Sequence, residues 1–236
     1  MKNFNFILQS KGGSGKSLLT YLLALKNEQN ESAYFIDFDS SVKSSSQQLK
    51  FLQGKKPSRF AVLSLLDDRD KIDRQLLFDY FLELSKRKYD DFYFDFGAPE
   101  SDQFPSLFTK DYNADEFKQI EQELQVNFIF NIVLAGGSAY EPCTTFLKRI
   151  VDALNGMFTI NIYINKETFQ NHTHLIEEIN KYAHLNREQL NVKAFGDFDV
   201  TTSPHKNILK KIEEGRGMDA YAFVEKIKIT KELSNL

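Results

Sequence analysis

The chain has 236 residues, 42% of them hydrophobic, and its 30 basic and 33 acidic side chains give a net charge of −3. This length and apolar content suffice for a sizeable core, and the mildly negative charge gives no global reason to bind nucleic acid. A single cysteine, Cys143, excludes a disulfide framework, and the lack of any apolar run of about eighteen residues predicts a cytoplasmic protein without an integral membrane segment.

Apolar runs alternate with helical patterns along the chain. The runs predict strands at residues 4–9, 33–38, 92–96, 128–134, 157–165 and 192–195. Apolar residues recur at helical spacing between them, at 18–25, 72–84, 117–124 and 142–154. The strands are continuously hydrophobic, which is typical of strands buried on both faces. These elements predict one α/β domain over residues 1–236, in which helices flank a mostly parallel sheet in three layers.

A glycine-rich loop joins the first strand to the first helix. Its sequence is Lys11-Gly12-Gly13-Ser14-Gly15-Lys16-Ser17. Glycines allow successive backbone N–H groups to converge on phosphate oxygens, and the helix N-terminus adds its partial positive charge. In a P-loop Lys16 reaches the β- and γ-phosphates and Ser17 offers its hydroxyl to Mg²⁺. The strict P-loop pattern begins with a glycine where this chain has Ser10, and the alternative interpretation is a flexible Gly/Ser turn.

Acidic residues stand at the ends of two later strands. Asp37 and Asp39 end the second strand, and Asp95 ends the third, where Gly97 follows it. Ligands of parallel α/β sheets bind beyond the carboxyl ends of the strands, so Asp39 and Asp95 would face the glycine loop. Asp95 is the candidate that holds Mg²⁺ directly or through a water, and Gly97 can direct its N–H toward the γ-phosphate. Each acid has the alternative role of capping the turn after its strand.

These motifs, in this order, resemble the ParA/MinD family of ATPases with a deviant P-loop. The resemblance implies that the extra lysine, Lys11, reaches across a dimer interface to the nucleotide of the other subunit. It implies that Asp39 positions or activates the attacking water, which makes Lys11, Lys16 and Asp39 the catalytic residues. The metal site would comprise Ser17, Asp39 and Asp95. The nucleotide contacts would come from Lys11, Gly12, Gly13, Ser14, Gly15, Lys16, Ser17, Leu18, Gly97 and Asn165.

The second half of the chain extends this resemblance. The strand that ends at Asn165 looks like the family's strand with an adenine-reading asparagine, since an amide pairs with adenine through one donor and one acceptor. The segment from Gly196 to Gly215 looks like the loop and helix that enclose the base. The family's membrane-tethered members end in a basic amphipathic helix. Here residues 224–231 alternate more like a strand, so a membrane anchor is not expected.

The resemblance implies a Mg²⁺-dependent ATPase that dimerises when it binds ATP and acts as a nucleotide switch in plasmid or chromosome partition, or in positioning a cellular cargo. Its partners would be a second copy, a protein activator and non-specific DNA, for which Lys206, Lys210 and Lys211 are candidate contacts. One alternative is a small-molecule ligase of the dethiobiotin synthetase-like class, which needs a substrate pocket and gives Lys11 no required role. Another is a metallochaperone or iron–sulfur ATPase, although Cys143 supplies only one thiolate.

Overall fold

The structure, a computed structural model, describes residues 1–38, 44–55, 57–186 and 189–236. The strands in these ranges are β1 (Lys2–Leu8), β2 (Ala33–Asp37), β3 (Phe60–Val62), β4 (Asp91–Asp95), β5 (Val126–Leu134), β6 (Thr159–Asn165) and β7 (Leu190–Phe195). They form one parallel sheet in the order β3-β2-β4-β1-β5-β6-β7. Because β1 lies in the middle of the sheet, the loop that follows it leaves the centre of the carboxyl edge.

Helices cover both faces of the sheet. Their bounds are α1 (Lys16–Lys26), α2 (Ser44–Gln48), α3 (Lys50–Gln53), α4 (Arg74–Ser85), α5 (Ala98–Gln103), α6 (Ala114–Leu124), α7 (Tyr140–Leu154), α8 (Lys166–Phe169), α9 (Thr173–Leu185), α10 (Ser203–Glu213) and α11 (Phe223–Leu233). The buried faces of α4, α6, α7 and α9 share one core, while α1, α10 and α11 share the other. The three-layer α/β architecture predicted from the sequence is therefore confirmed. None of the helices in the described ranges combines the length and apolar character needed to cross a membrane.

Phenylalanine rings anchor the central strand. Phe4, Phe6 and Leu8 of β1 point into one core, whereas Ile7 points into the other, as the alternation of side chains along a strand requires. The Phe6 ring centroid lies 5.1 Å from that of Phe130 and 5.4 Å from that of Phe94. Each such pair adds about 0.5–1.5 kcal/mol beyond area burial. The glycine loop therefore starts from a tightly packed strand.

Two differences between the sequence-based expectations and the structure concern β3 and α11. The short strand β3 was not predicted, because three residues at the edge of the sheet leave too little pattern. The prediction of a strand at residues 224–231 is wrong, since these residues lie within α11. Two of the residues that α11 buries are glutamates, Glu225 and Glu232. Because these positions are not apolar, the sequence does not show the hydrophobic spacing that is typical of a helix. The Glu225 carboxylate accepts the N–H of Ala222 at 2.7 Å, which caps the start of the helix.

Candidate nucleotide-binding site

The glycine loop has the backbone of a phosphate cradle. Gly13 and Gly15 have φ values of +74° and +104°, in the region that favours glycine. A Cβ at Gly15 would also lie 2.6 Å from Asn165 Nδ2, so a larger residue there would force the Asn165 amide to move. Gly15 is directly followed by the first turn of α1, whose N–H groups lack helical partners. The half-buried Ser17 and Leu18 lie in this first turn, and Gly12 is exposed.

The two lysines of the loop occupy different environments. The Lys16 side chain is buried, and its Nζ donates to the backbone oxygen of Gln9 at 2.9 Å. The Lys11 side chain is exposed, while its backbone N–H donates to Gln9 Oε1 at 3.2 Å. Lys16 thus lies folded over its own loop, and Lys11 presents its charge outward.

Two of the predicted acids lie next to each other at the carboxyl edge. Asp37 of β2 is paired in register with Asp95 of β4, which is paired in turn with Ile7 of β1. Registered residues of parallel strands point to the same face. Because Ile7 belongs to the core that contains α1, both carboxylates lie on the side of the sheet where Ser17 stands. Both acids are buried, and Asp37 accepts a hydrogen bond from Ser46 Oγ at 2.8 Å.

The donors at this edge suit a hard cation. The hydroxyl of Ser17 and the carboxylates of Asp37 and Asp95 are oxygen ligands, which Mg²⁺ prefers. Among the described residues, no group of three or more histidine, cysteine or acidic side chains is placed so that it could hold a metal ion. Mg²⁺ at nucleotide sites usually takes one or two carboxylates together with phosphate oxygens, so this set fits it.

Two further predicted residues are placed less fully. Asp39 lies outside the described residues. Gly97 precedes the first turn of α5 with φ −57° and ψ 168°, a conformation open to any residue. The close approach of a phosphate to Gly97 therefore stays a prediction.

Asn165 lies against the glycine loop, although the two are far apart in sequence. It ends β6, it is 4% exposed, and its Nδ2 donates to the backbone oxygen of Ser14 at 3.1 Å. Among the residues that the structure describes, its buried Oδ1 has no hydrogen-bond partner. A buried acceptor without a partner is costly, and a ligand that donates a hydrogen bond would satisfy it. The contact of this amide with adenine stays a prediction.

Gln9 is a polar residue at this site that the sequence-based analysis missed. Its side chain is fully buried between β1, β5 and α7, and its Nε2 donates to the backbone oxygens of Val133 at 2.7 Å and Cys143 at 3.4 Å. Its backbone N–H donates to Ser101 Oγ at 3.2 Å. Gln9 thereby ties the start of the loop to the neighbouring strand and helix. A glutamine directly after the apolar end of the central strand, Phe6-Ile7-Leu8, is the signal that indicates it.

Cys143 lies buried near the loop without a sign of reactivity. Burial raises the pKa of its thiol, while the charges of Lys16 and Lys11 act in the opposite direction. The net rise keeps the sulfur protonated at neutral pH, so the nucleophilic thiolate is scarce.

Solved structures with the same fold include nucleotide-binding proteins. No protein-family model matches the sequence, and no curated protein matches it. A Borrelia burgdorferi protein described as a plasmid partition protein, solved bound to AMPPNP, is 16% identical over 100% of this chain and 96% of that chain, with a TM-score of 0.59. MinD of Aquifex aeolicus is 12% identical in its complex with MinC and 11% identical alone. These two matches cover 98% of this chain and 94% and 95% of the others, with TM-scores of 0.56 and 0.55. The chain thus has the fold of MinD and of a plasmid partition protein, as its motifs predicted.

Proposed function

We propose that this chain is an ATPase of the ParA/MinD type that dimerises when it binds ATP and serves as a nucleotide switch in DNA partition or cargo positioning. The observation that carries the proposal is the contrast between the two lysines of the glycine loop. Lys16 is buried over its own loop, whereas Lys11 is exposed. An outward lysine at a phosphate cradle is suited to the phosphates of a second subunit, because charge-assisted contacts to phosphate are strong.

The surrounding residues support ATP as the nucleotide. Adenine presents one donor and one acceptor on its N6–N7 edge, and the Asn165 amide offers an acceptor that has no hydrogen-bond partner among the described residues. In the proposal Lys16 neutralises the β- and γ-phosphates, and Ser17 and Asp95 hold Mg²⁺. The metal, when bound, offsets the charge that develops on the phosphate oxygens. Asp39 orients the attacking water, and a protein activator triggers hydrolysis.

The oligomeric state with each nucleotide tests this proposal. We expect a monomer with ADP and a dimer with ATP and Mg²⁺, because only the γ-phosphate extends far enough to engage the partner's Lys11. Sedimentation velocity at several protein concentrations, with bound nucleotide measured in parallel, would separate the two states. A protein saturated with ATP that remains monomeric would contradict the proposal.

The ligase alternative needs a small-molecule pocket beside the glycine loop. A polar cavity of 220 Å³ is lined by Glu28, Lys55 and Arg59, among other residues. It lies past the C-terminal end of α1, roughly 16 Å from the loop at 1.5 Å per helical residue. This cavity therefore gives no support to a ligase.

Non-specific DNA is the partner surface that we propose for the ATP-bound dimer. Lys206 and Lys210 are exposed on one face of α10. Lys211 is instead ion-paired with Glu225, and its Nζ lies 5.4 Å from the centroid of the Tyr221 ring. The exposed basic surface of α10 therefore contains two of the three lysines that the sequence suggested. Dimerisation would double it, and phosphate binding grows with the number of neutralised charges.

Charge reversal tests this surface. We expect ATP-bound protein to shift DNA weakly at low salt, and Lys206→Glu with Lys210→Glu to weaken that binding by roughly tenfold, since each phosphate contact contributes to affinity. Reversing the exposed Lys148 and Lys181, on α7 and α9, changes the net charge equally and serves as the control. Equal losses in both double variants, or no binding at low salt with ATP, would favour a protein partner.

A further inference from the structure

Helix α11 contributes a buried acid to the nucleotide side of the molecule. Its inner face comprises Glu225, Ile229, Glu232 and Leu233. Glu225 is accounted for by its ion pair with Lys211 and its cap on the helix. Glu232 is 5% exposed and makes no ion pair that the described residues show. Burying a carboxylate costs free energy unless hydrogen bonds compensate it, so its partners matter.

Glu232 binds the loop that follows β7. Its Oε1 accepts the backbone N–H of Gly196 at 2.5 Å. Burial raises the pKa of Glu232, while the backbone N–H groups of Gly196 and Asp197 and the charge of Lys166 counteract that rise, and the charge of Asp197 adds to it. The acid therefore holds the loop at the backbone of Gly196, across 36 residues of sequence.

The loop held by Glu232 contacts the base-reading amide. Gly196 has a φ of +76°, and a Cβ there would lie 2.8 Å from Asn165 Oδ1 and 3.6 Å from Leu18 Cδ2. On its other side, the Asn165 amide meets Gly15 and Ser14 of the glycine loop. The amide is thus enclosed between two glycines, and Glu232 fixes the position of one of them.

We propose that Glu232 is a positioning residue that sets the preference of this site for adenine. The inference rests on the proposed ATP binding. Adenine offers a donor and an acceptor on its N6–N7 edge, whereas guanine offers two acceptors on the equivalent edge. An amide locked with its oxygen toward the base rejects guanine, while an amide that can rotate presents its NH₂ group instead. Holding Gly196 in place restricts that rotation.

Two conservative variants separate the effect of side-chain length at residue 232 from the effect of its charge. Glu232→Gln keeps the length and an oxygen acceptor but removes the charge, whereas Glu232→Asp keeps the charge and shortens the side chain by one methylene. We expect Glu232→Asp to lower the ratio of GTP to ATP dissociation constants by about tenfold, as for loss of one base-reading hydrogen bond. Glu232→Gln should stay within about twofold of the parent. Isothermal titration with each nucleotide and Mg²⁺ gives both constants.

Glu225→Ala is the matched control, because it disrupts a buried acid on the same helix face without touching the Gly196 loop. Its melting temperature should fall while the GTP-to-ATP ratio stays at the parental value. An unchanged ratio in Glu232→Asp, or an equal fall in Glu225→Ala, would overturn the positioning role and leave ATP binding intact. A parent protein that binds neither nucleotide would overturn the proposed function and this inference together.

Discussion

Lys16→Ala is expected to abolish measurable ATP binding. The parent residue is buried, and its ammonium group contacts the backbone oxygen of Gln9, which lies just before the glycine loop. Its removal deletes the charge opposite the β- and γ-phosphates. Two charge-assisted hydrogen bonds contribute about 1.5–3 kcal/mol each, so affinity should fall by roughly 100- to 10,000-fold. Titration calorimetry with ATP and Mg²⁺ measures this loss.

Lys26→Ala supplies the control for that experiment. Lys26 is an exposed lysine in the last turn of the same helix, α1, so the substitution removes an equal charge far from the loop. Circular dichroism should show that both variants remain folded, and only Lys16→Ala should lose ATP. If Lys16→Ala bound ATP as well as the parent, the glycine loop would not be a P-loop.

The fold was predictable because its signals are local and repeated. The apolar strand at residues 4–9 and the glycine loop specify strand, turn and helix within a short segment. The acids at strand ends could be placed near that loop by the rule for parallel sheets alone. The structure places Asp95 beside β1 with Asp37 in register next to it, whereas the position of Asp39 stays a prediction. For Asn165 the family resemblance was also needed, since nothing local in its strand indicates a contact with Ser14.

The remaining features depend on contacts between distant segments. Gln9 reads as the polar end of a strand, and its hydrogen bonds to Val133 and Cys143 become visible only when β1, β5 and α7 are assembled. In α11 the buried glutamates Glu225 and Glu232 replace apolar residues on the inner face, so the period of 3.6 residues was hidden. Contacts with distant segments determine the role of such residues, and a single sequence does not show those contacts directly.

Lys11→Ala should spare ATP binding and weaken ATP-dependent dimerisation. The Lys11 side chain is exposed. The backbone N–H of Lys11 donates a hydrogen bond to the Gln9 side chain, and alanine at this position would retain that bond. We therefore expect an ATP affinity within about twofold of the parent. In the dimer the loss of a lysine contact to the partner's phosphates should weaken association by roughly 10- to 100-fold, as for one or two charge-assisted hydrogen bonds. Sedimentation velocity with ATP measures this change.

Mixing variants tests whether Lys11 acts across the interface. A Lys11→Ala subunit binds ATP but donates no lysine, whereas a Lys16→Ala subunit binds no ATP but still carries Lys11. If Lys11 acts on the other subunit, the mixed dimer contains one complete site, and hydrolysis should reappear in the mixture at a fraction of the parental rate. If Lys11 acts within its own subunit, no combination restores both lysines to one site. A mixture as inactive as its components would therefore contradict the shared-site dimer, because each subunit would then lack one lysine of its own site.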